Sequence, residues 1–210
     1  EKSPAPLPTL HGMADHLEQT LRTPDGVALH LQQWPVSDAR GTVLIVHGLG
    51  EHIGRYAHVA ATLIAAGWHV AGHDHRGHGR STGGRGALNR PDDLLADLAR
   101  VLDTVRARRP GPLVLLGHSM GGLVAARFVA EGLSPSPASW SRPLDALVLS
   151  SPAFDLGMSP VQTLLLAVMG AVAPNLAVSN GLKPQWVSRD PAVVEAYAAD
   201  PLVHDRVTAK

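Results

Sequence analysis

Apolar positions along the chain fall into two periods, and the alternation between them sets the expected elements. Residues 17–23 and 27–34 are strand-like and are joined by Thr23-Pro24-Asp25-Gly26. Proline presets one turn dihedral and glycine supplies a positive φ, so the pair reads as an antiparallel hairpin. In its second arm Val27, Leu29 and Leu31 alternate with more polar neighbours, as in a half-exposed strand. Thr42 to His47 is a short, fully apolar run of the kind buried on both faces of a parallel sheet. Tyr56, Val59, Ala60, Leu63 and Ile64 then recur at helical spacing up to Gly67, and residues 68–74 return to strand. Residues 89–109 predict a longer helix, with Leu94, Leu95, Leu98, Val101, Leu102 and Val105 on one face and Pro110-Gly111 as its stop. Leu113 to Leu116 is again an apolar strand, followed by helix-forming residues up to Gly132 and by a strand-like run over 145–151. Strands alternating with helices predict βαβ units and a mostly parallel sheet covered by helices on both faces. Beyond Pro152 the pattern changes: residues 158–173 form an almost entirely apolar helix candidate, 191–199 a shorter one, and no further strand-rich run is visible.

The junction between the last strand–helix pair carries candidate chemistry. Gly117-His118-Ser119-Met120-Gly121 fits G-x-S-x-G, placed between an apolar strand and a helix. That context is the nucleophile elbow of α/β-hydrolases: a turn so tight that flanking side chains would collide, which glycines at 117 and 121 avoid. The hydroxyl of Ser119 would stand at a helix N-terminus, where the dipole favours developing negative charge. Acyl transfer through serine also needs two N–H donors for the oxyanion, one of them from the residue after the nucleophile, Met120. The other should follow an earlier strand. His47-Gly48-Leu49-Gly50 ends the first apolar strand, and there the amide of Leu49 is the candidate. Both features sit at the C-terminal ends of strands, where parallel sheets place ligands.

Three blocks, 47–56 (HGLGEHIGRY), 72–81 (GHDHRGHGRS) and 117–122 (GHSMGG), resemble the monoacylglycerol lipase and lysophospholipase group of α/β-hydrolases, in the same order and with similar spacing. The resemblance implies cleavage of a single-chain acyl ester without metal or organic cofactor. It implies that Ser119 is the nucleophile, that Leu49 and Met120 form the oxyanion hole, and that the segment after residue 151 is a lid. In that lid the apolar helix 158–173 would line an acyl tunnel through Leu164, Leu165, Val168 and Met169 and touch lipid. Glu51 and Arg55 are candidate head-group contacts, with a mutual salt bridge at helical spacing as the alternative. His73, His75 and His78 invite a metal reading, but the group uses this block structurally. Asp74 and Arg76 are expected to lock the same loop through hydrogen bonds, and His47 and His118 to support rather than to react.

Composition limits the alternatives. The 210 residues include eighteen basic and eighteen acidic side chains and no cysteine. With no net charge, neither nucleic acid nor an electrostatically bound membrane surface is indicated, and disulfides and thiolate metal sites are excluded. The expected organisation is a loose leader over 1–12, the N-terminal part of the core over 13–151, and a lid over 152–210. The expected location is the cytoplasm, with peripheral membrane contact through the lid.

One part of the pattern is missing. The triad order of this fold is serine, acid, histidine, with acid and histidine each following a strand beyond the lid. His204 is the only histidine after Ser119, and none of Asp190, Glu195, Asp200 and Asp205 follows an apolar strand. The triad acid and histidine are therefore expected on a second polypeptide segment, the C-terminal part of the same enzyme, rather than in this chain. The literal alternative makes His204 an improvised base with Asp200 or Asp205. Rival readings are a small-molecule esterase or peptidase of the same fold, and a non-catalytic acyl-binding fragment.

Overall fold

The computed structural model describes residues 16–155 and 157–209, so the expected leader over 1–12 lies outside the described residues. A six-stranded sheet runs in the order β1 (Leu17–Arg22), β2 (Ala28–Trp34), β4 (His69–His73), β3 (Thr42–Val46), β5 (Leu113–His118), β6 (Ala146–Ser150). β1 and β2 pair antiparallel, as do β2 and β4, and the other neighbours are parallel. The hairpin turn closes as expected: Gly26 adopts φ 89°, and the Thr23 hydroxyl donates to Asp25 at 2.6 Å.

Alternation along the buried strands divides the core between the two faces. Leu44, Val46, Leu113 and Leu115 pack with Leu98, Val101, Leu102 and Val105 of α2 (Asp93–Arg108) and with Phe128 of α3 (Met120–Glu131). Val43, Ile45 and Val70 point the other way, onto Ile53, Tyr56 and Ala60, the last in α1 (Ala57–Ala65). Each such side chain contributes roughly 1.5–3 kcal/mol on burial, so the two clusters fix the strand register on which the site depends.

Two helix starts differ from the sequence expectation, both through side-chain hydrogen bonds to backbone amides. α2 begins at Asp93 rather than near 89, because the Asp93 carboxylate accepts the amides of Asn89 (2.8 Å) and Arg90 (2.9 Å) and folds them into a turn. α4 (Pro160–Val172) begins after Ser159, whose hydroxyl accepts from the Gln162 amide while the Gln162 side chain accepts from the Ser159 amide, a reciprocal capping box. After α4, and on either side of α5 (Pro191–Ala199), two dipeptides, β7 (Val178–Ser179) and β8 (Arg206–Val207), form a small antiparallel ribbon apart from the main sheet. At two residues each they are too short to leave a period in the sequence. β6 is the last strand of its sheet among the described residues, and Val148 on it is 47% exposed. No helix among the described residues is long and apolar enough to cross a membrane.

Candidate active site

β5 delivers Ser119 to the start of α3 in a conformation that side chains seldom adopt, φ 52° and ψ −120°. The surroundings determine that conformation from several directions. The Ser119 amide donates to the Ser150 carbonyl at 3.0 Å, and the Ser119 carbonyl accepts from Leu123 (3.1 Å) and Ala153 (3.0 Å). The tightness that calls for glycine is visible on both flanks. A Cβ at Gly117 would lie 2.8 Å from the Gly122 Cα and 2.9 Å from the Ala125 Cβ, and one at Gly121 would press on the Val46 and His47 carbonyl oxygens. The elbow is thereby wedged against the end of β3. The Met120 amide, at the first position of α3, precedes any intrahelical acceptor and remains available.

The loop after β3 passes beside the serine: a Cβ at Gly48 would sit 3.2 Å from the Ser119 Cβ. His47 anchors this loop. Its Nε2 accepts the His75 amide at 2.9 Å, so its proton lies on Nδ1, which donates to the Gly48 carbonyl at 2.8 Å. His75 Nε2 in turn donates to the His47 carbonyl at 3.1 Å, and the two rings pack with centroids 4.3 Å apart. Burial holds both imidazoles well below the usual histidine range, with neighbouring histidines adding to the effect, so both are neutral structural groups. Burial likewise lowers His73 and His78 to about 4.

Asp74 and Arg76 lock the adjoining loop. The Asp74 carboxylate accepts the Ile53 and Arg80 amides, each at 2.8 Å. Arg76, 4% exposed, grips Asp97 with two nitrogens at 2.7 and 2.8 Å and reaches Asp25 and Asp93 at 2.8 Å. Burial works against the charge of Arg76, but the carboxylates outweigh it and raise its pKa. A cleft of 640 Å³ between the β1–β2 turn, α2 and Trp140 opens over this network; Ser119 is not part of its lining.

Glu51 and Arg55, candidate head-group contacts, form the alternative ion pair at 3.5 Å, but Glu51 makes shorter bonds elsewhere. Its Oε1 accepts the Gly48 amide at 2.7 Å and the Tyr56 hydroxyl at 2.6 Å. The Arg55 guanidinium lies over the Tyr197 ring of α5 at 4.5 Å, and His52 Nε2 bonds Asp200 at 2.8 Å. Helical spacing places Tyr56 on a core face but says nothing of its hydroxyl bond to Glu51 five residues away, and the pairing of Asp200 with His52 spans 148 residues of chain. His118 donates to or accepts from Ser150 Oγ at 3.0 Å, behind the nucleophile.

The improvised base is not assembled. His204 Nδ1 accepts the Arg206 amide at 3.1 Å, and its ring packs on His78 with centroids 4.5 Å apart, while Asp200 is paired with His52. No described histidine or carboxylate hydrogen-bonds the Ser119 hydroxyl, so the serine, the Leu49 loop and the Met120 amide stand together without a base among the described residues. Leu164, Leu165 and Val168 are exposed along α4, at 66%, 60% and 48%, and Met169 is half-buried; the apolar stripe faces solvent.

The hydrolase family described as serine aminopeptidase, S33, matches residues 37–210, which include all of these elements except the hairpin. The chain belongs to that family. A monoacylglycerol lipase of Mycolicibacterium smegmatis is 42% identical over 183 residues, 85% of this chain and 62% of the relative. The crystal structure of Paleococcus ferrophilus monoacylglycerol lipase superposes with a TM-score of 0.67 at 34% identity, over 93% of this chain and 66% of that one. A soluble variant of the Saccharomyces cerevisiae monoglyceride lipase, at 21% identity, shares the fold, with a TM-score of 0.80 over 98% of this chain and 68% of that one. The fold is therefore that of the α/β-hydrolases, and within the family the chain is similar to monoacylglycerol lipases. It spans 62% of the length of the Mycolicibacterium relative and 58% of the human monoglyceride lipase, which is 33% identical.

Proposed function

We propose that Ser119 is the nucleophile of a serine ester hydrolase that cleaves monoacylglycerol or a similar single-chain acyl ester. The observation that carries this reading is the pairing of a strained serine at φ 52° with the Gly48–Leu49 backbone beside it, both at the C-terminal ends of adjacent parallel strands. The Ser119 oxygen attacks the ester carbonyl and its proton passes to a histidine. The Leu49 and Met120 amides hold the tetrahedral oxyanion, the C–O bond to the alcohol breaks as that alcohol takes up the proton, and water then releases the acid. Since the described residues supply no base, the acid and the histidine are assigned to a second segment, the C-terminal part of the same enzyme, bordering β6.

The aminopeptidase activity in the family description would require a carboxylate for the substrate's α-ammonium. Near Ser119 the candidate is Glu51, whose oxygens are already engaged by Gly48, Tyr56 and Arg55. The exposed apolar stripe of α4 favours an acyl chain instead and supports a lid over residues 152–210 that contacts lipid, with Leu164, Leu165, Val168 and Met169 lining the acyl path. The enzyme would then work from the cytoplasm, peripherally on membranes.

The deciding experiment uses the complete, active protein. A long-chain fluorophosphonate should label Ser119, and Ser119→Ala should abolish turnover of monoacylglycerol. Labelling at another serine, undiminished hydrolysis by the variant, or cleavage of aminoacyl amides in preference to esters would overturn the assignment.

A further inference from the structure

We infer that Glu51 is a positioning residue for the oxyanion hole and does not bind the substrate head group. The inference rests on the reading of Ser119 and the Leu49 amide given above.

Two successive amides, Gly48 and Leu49, leave the end of β3 beside Ser119, and an oxyanion hole can use only the one aimed at the reacting carbon. Glu51 removes the ambiguity. Its Oε1 accepts the Gly48 amide at 2.7 Å, so that donor is already engaged. The three-residue span between them closes into a turn. Among the described residues the Leu49 amide donates to no acceptor, which leaves it free for the oxyanion. The turn is compact enough that a Cβ on Gly48 would meet the Glu51 carboxylate at 2.7 Å as well as the Ser119 Cβ at 3.2 Å.

The carboxylate is itself held. The Tyr56 hydroxyl donates to the same Oε1 at 2.6 Å, and the Tyr56 ring is buried in the α1-face core. Burial, followed by the charge of Glu51, raises the Tyr56 pKa far above its ordinary value, so the phenol stays a donor. Arg55 touches only the far oxygen, at 3.5 Å, and spreads over Tyr197. The chain of contacts therefore runs from core to Tyr56 to Glu51 to Gly48, and places the next amide. This chain of contacts runs through Oε1 alone, which already has two donors, while Oε2 meets only Arg55 at 3.5 Å and takes no part in placing the loop.

The test compares two esters of one fatty acid in the complete protein: a glyceryl ester and a 4-nitrophenyl ester, which lacks the glycerol. Glu51→Ala should lower kcat at least about tenfold on both with little change in KM; loss of a whole oxyanion donor brings roughly 100–1,000-fold. A trifluoromethyl ketone, whose hemiketal oxyanion occupies the same hole, should lose affinity by the same factor as kcat/KM. Glu51→Gln keeps the accepting oxygen and should restore most of the rate. A loss confined to the glyceryl ester and expressed in KM, or a glutamine variant as poor as the alanine one, would overturn the proposal. If Glu51→Ala does not fold, Tyr56→Phe gives the same test: a smaller kcat loss equal on both esters is expected, and unchanged kcat on both overturns it. Wild-type protein that neither hydrolyses an ester nor is labelled at Ser119 removes the enzymatic reading and this proposal with it. An active, labelled wild type with an unimpaired Glu51→Ala overturns the positioning role alone.

Discussion

Mild acid should destabilise this fold well before its carboxylates titrate. His73 and His78 are both buried, and burial lowers each to about 4 from an unperturbed 6.5. Their folded-state pKa values lie below the unfolded value, so below pH 6.5 the unfolded chain binds protons that the folded chain refuses. Stability is then complete above about pH 6.5 and falls as the pH drops toward 4. Between pH 7 and pH 5 each of the two contributes a loss of about 2 kcal/mol, or about 4 kcal/mol together, against a total stability of roughly 5–15 kcal/mol for a native domain. His47 and His75 are displaced in the same direction by burial and add to the loss. Asp25, lowered to about 2 chiefly by its bond from Arg76, acts outside this window, since its contribution is lost only below its unfolded value. Urea unfolding followed by tryptophan fluorescence at pH 7, 6 and 5 measures the effect directly, because Trp34 is buried in the core. His73 makes no hydrogen bond through either ring nitrogen, so His73→Leu should flatten the profile by about 2 kcal/mol at no polar cost. A free energy of unfolding independent of pH between 7 and 5, or one that rises on acidification, would refute the reasoning.

Gly121→Ala should cost about 3 kcal/mol or more, because the new Cβ would press on the backbone carbonyls of Val46 and His47, which cannot move without opening β3 from β5; thermal unfolding and loss of Ser119 labelling check it. Leu165→Asp combined with Val168→Asp on α4 should reduce hydrolysis of long-chain esters at least about tenfold more than that of butyryl esters, since only a long chain gains from apolar burial. Equal loss on both would mean that the helix serves the fold and not the acyl chain.

The sheet was legible in its central strands: Thr42–Val46 is buried along its whole length, and Leu113–Leu116 is an apolar run whose alternate residues are buried. The serine was legible for a related reason: few backbones need glycine on both sides of a serine between strand and helix, and the added-Cβ contacts at 117 and 121 show that need directly. What stayed hidden depends on which polar atom a side chain turns to, whether near or far along the chain. Asp93 accepting the amides of Asn89 and Arg90, Glu51 turning back onto Gly48, and Asp200 reaching His52 are all acidic side chains whose partners no period announces. The ion pair Glu51–Arg55 could be read from its i, i+4 spacing, yet it is the weakest of the contacts Glu51 makes.

The Asp200–His52 pair belongs to one strip of backbone that crosses back over the site loops. Residues 200–208 run from His52, through a bond from the His204 amide to the Gly50 carbonyl at 2.8 Å, to the Thr208 amide on the Gly86 carbonyl at 3.2 Å. At both crossings the strip meets glycine with a positive φ, 77° at Gly50 and 66° at Gly86. A Cβ at either would run into a carbonyl of the strip, that of His204 or of Arg206. These two glycines therefore do more than allow a turn: Gly50 lets a second stretch of backbone close over the loop that carries Leu49, and Gly86 seats the continuation of that stretch on the neighbouring loop. The loop is thus bounded by Ser119 and the elbow on one side and by the returning strip on the other, with Glu51 and Tyr56 fixing it from within. An oxyanion donor is useful only if it needs no rearrangement when charge develops. In this chain that rigidity comes from three separate anchors on one short loop: His47 at its start, Glu51 at its turn and the His204 backbone at Gly50.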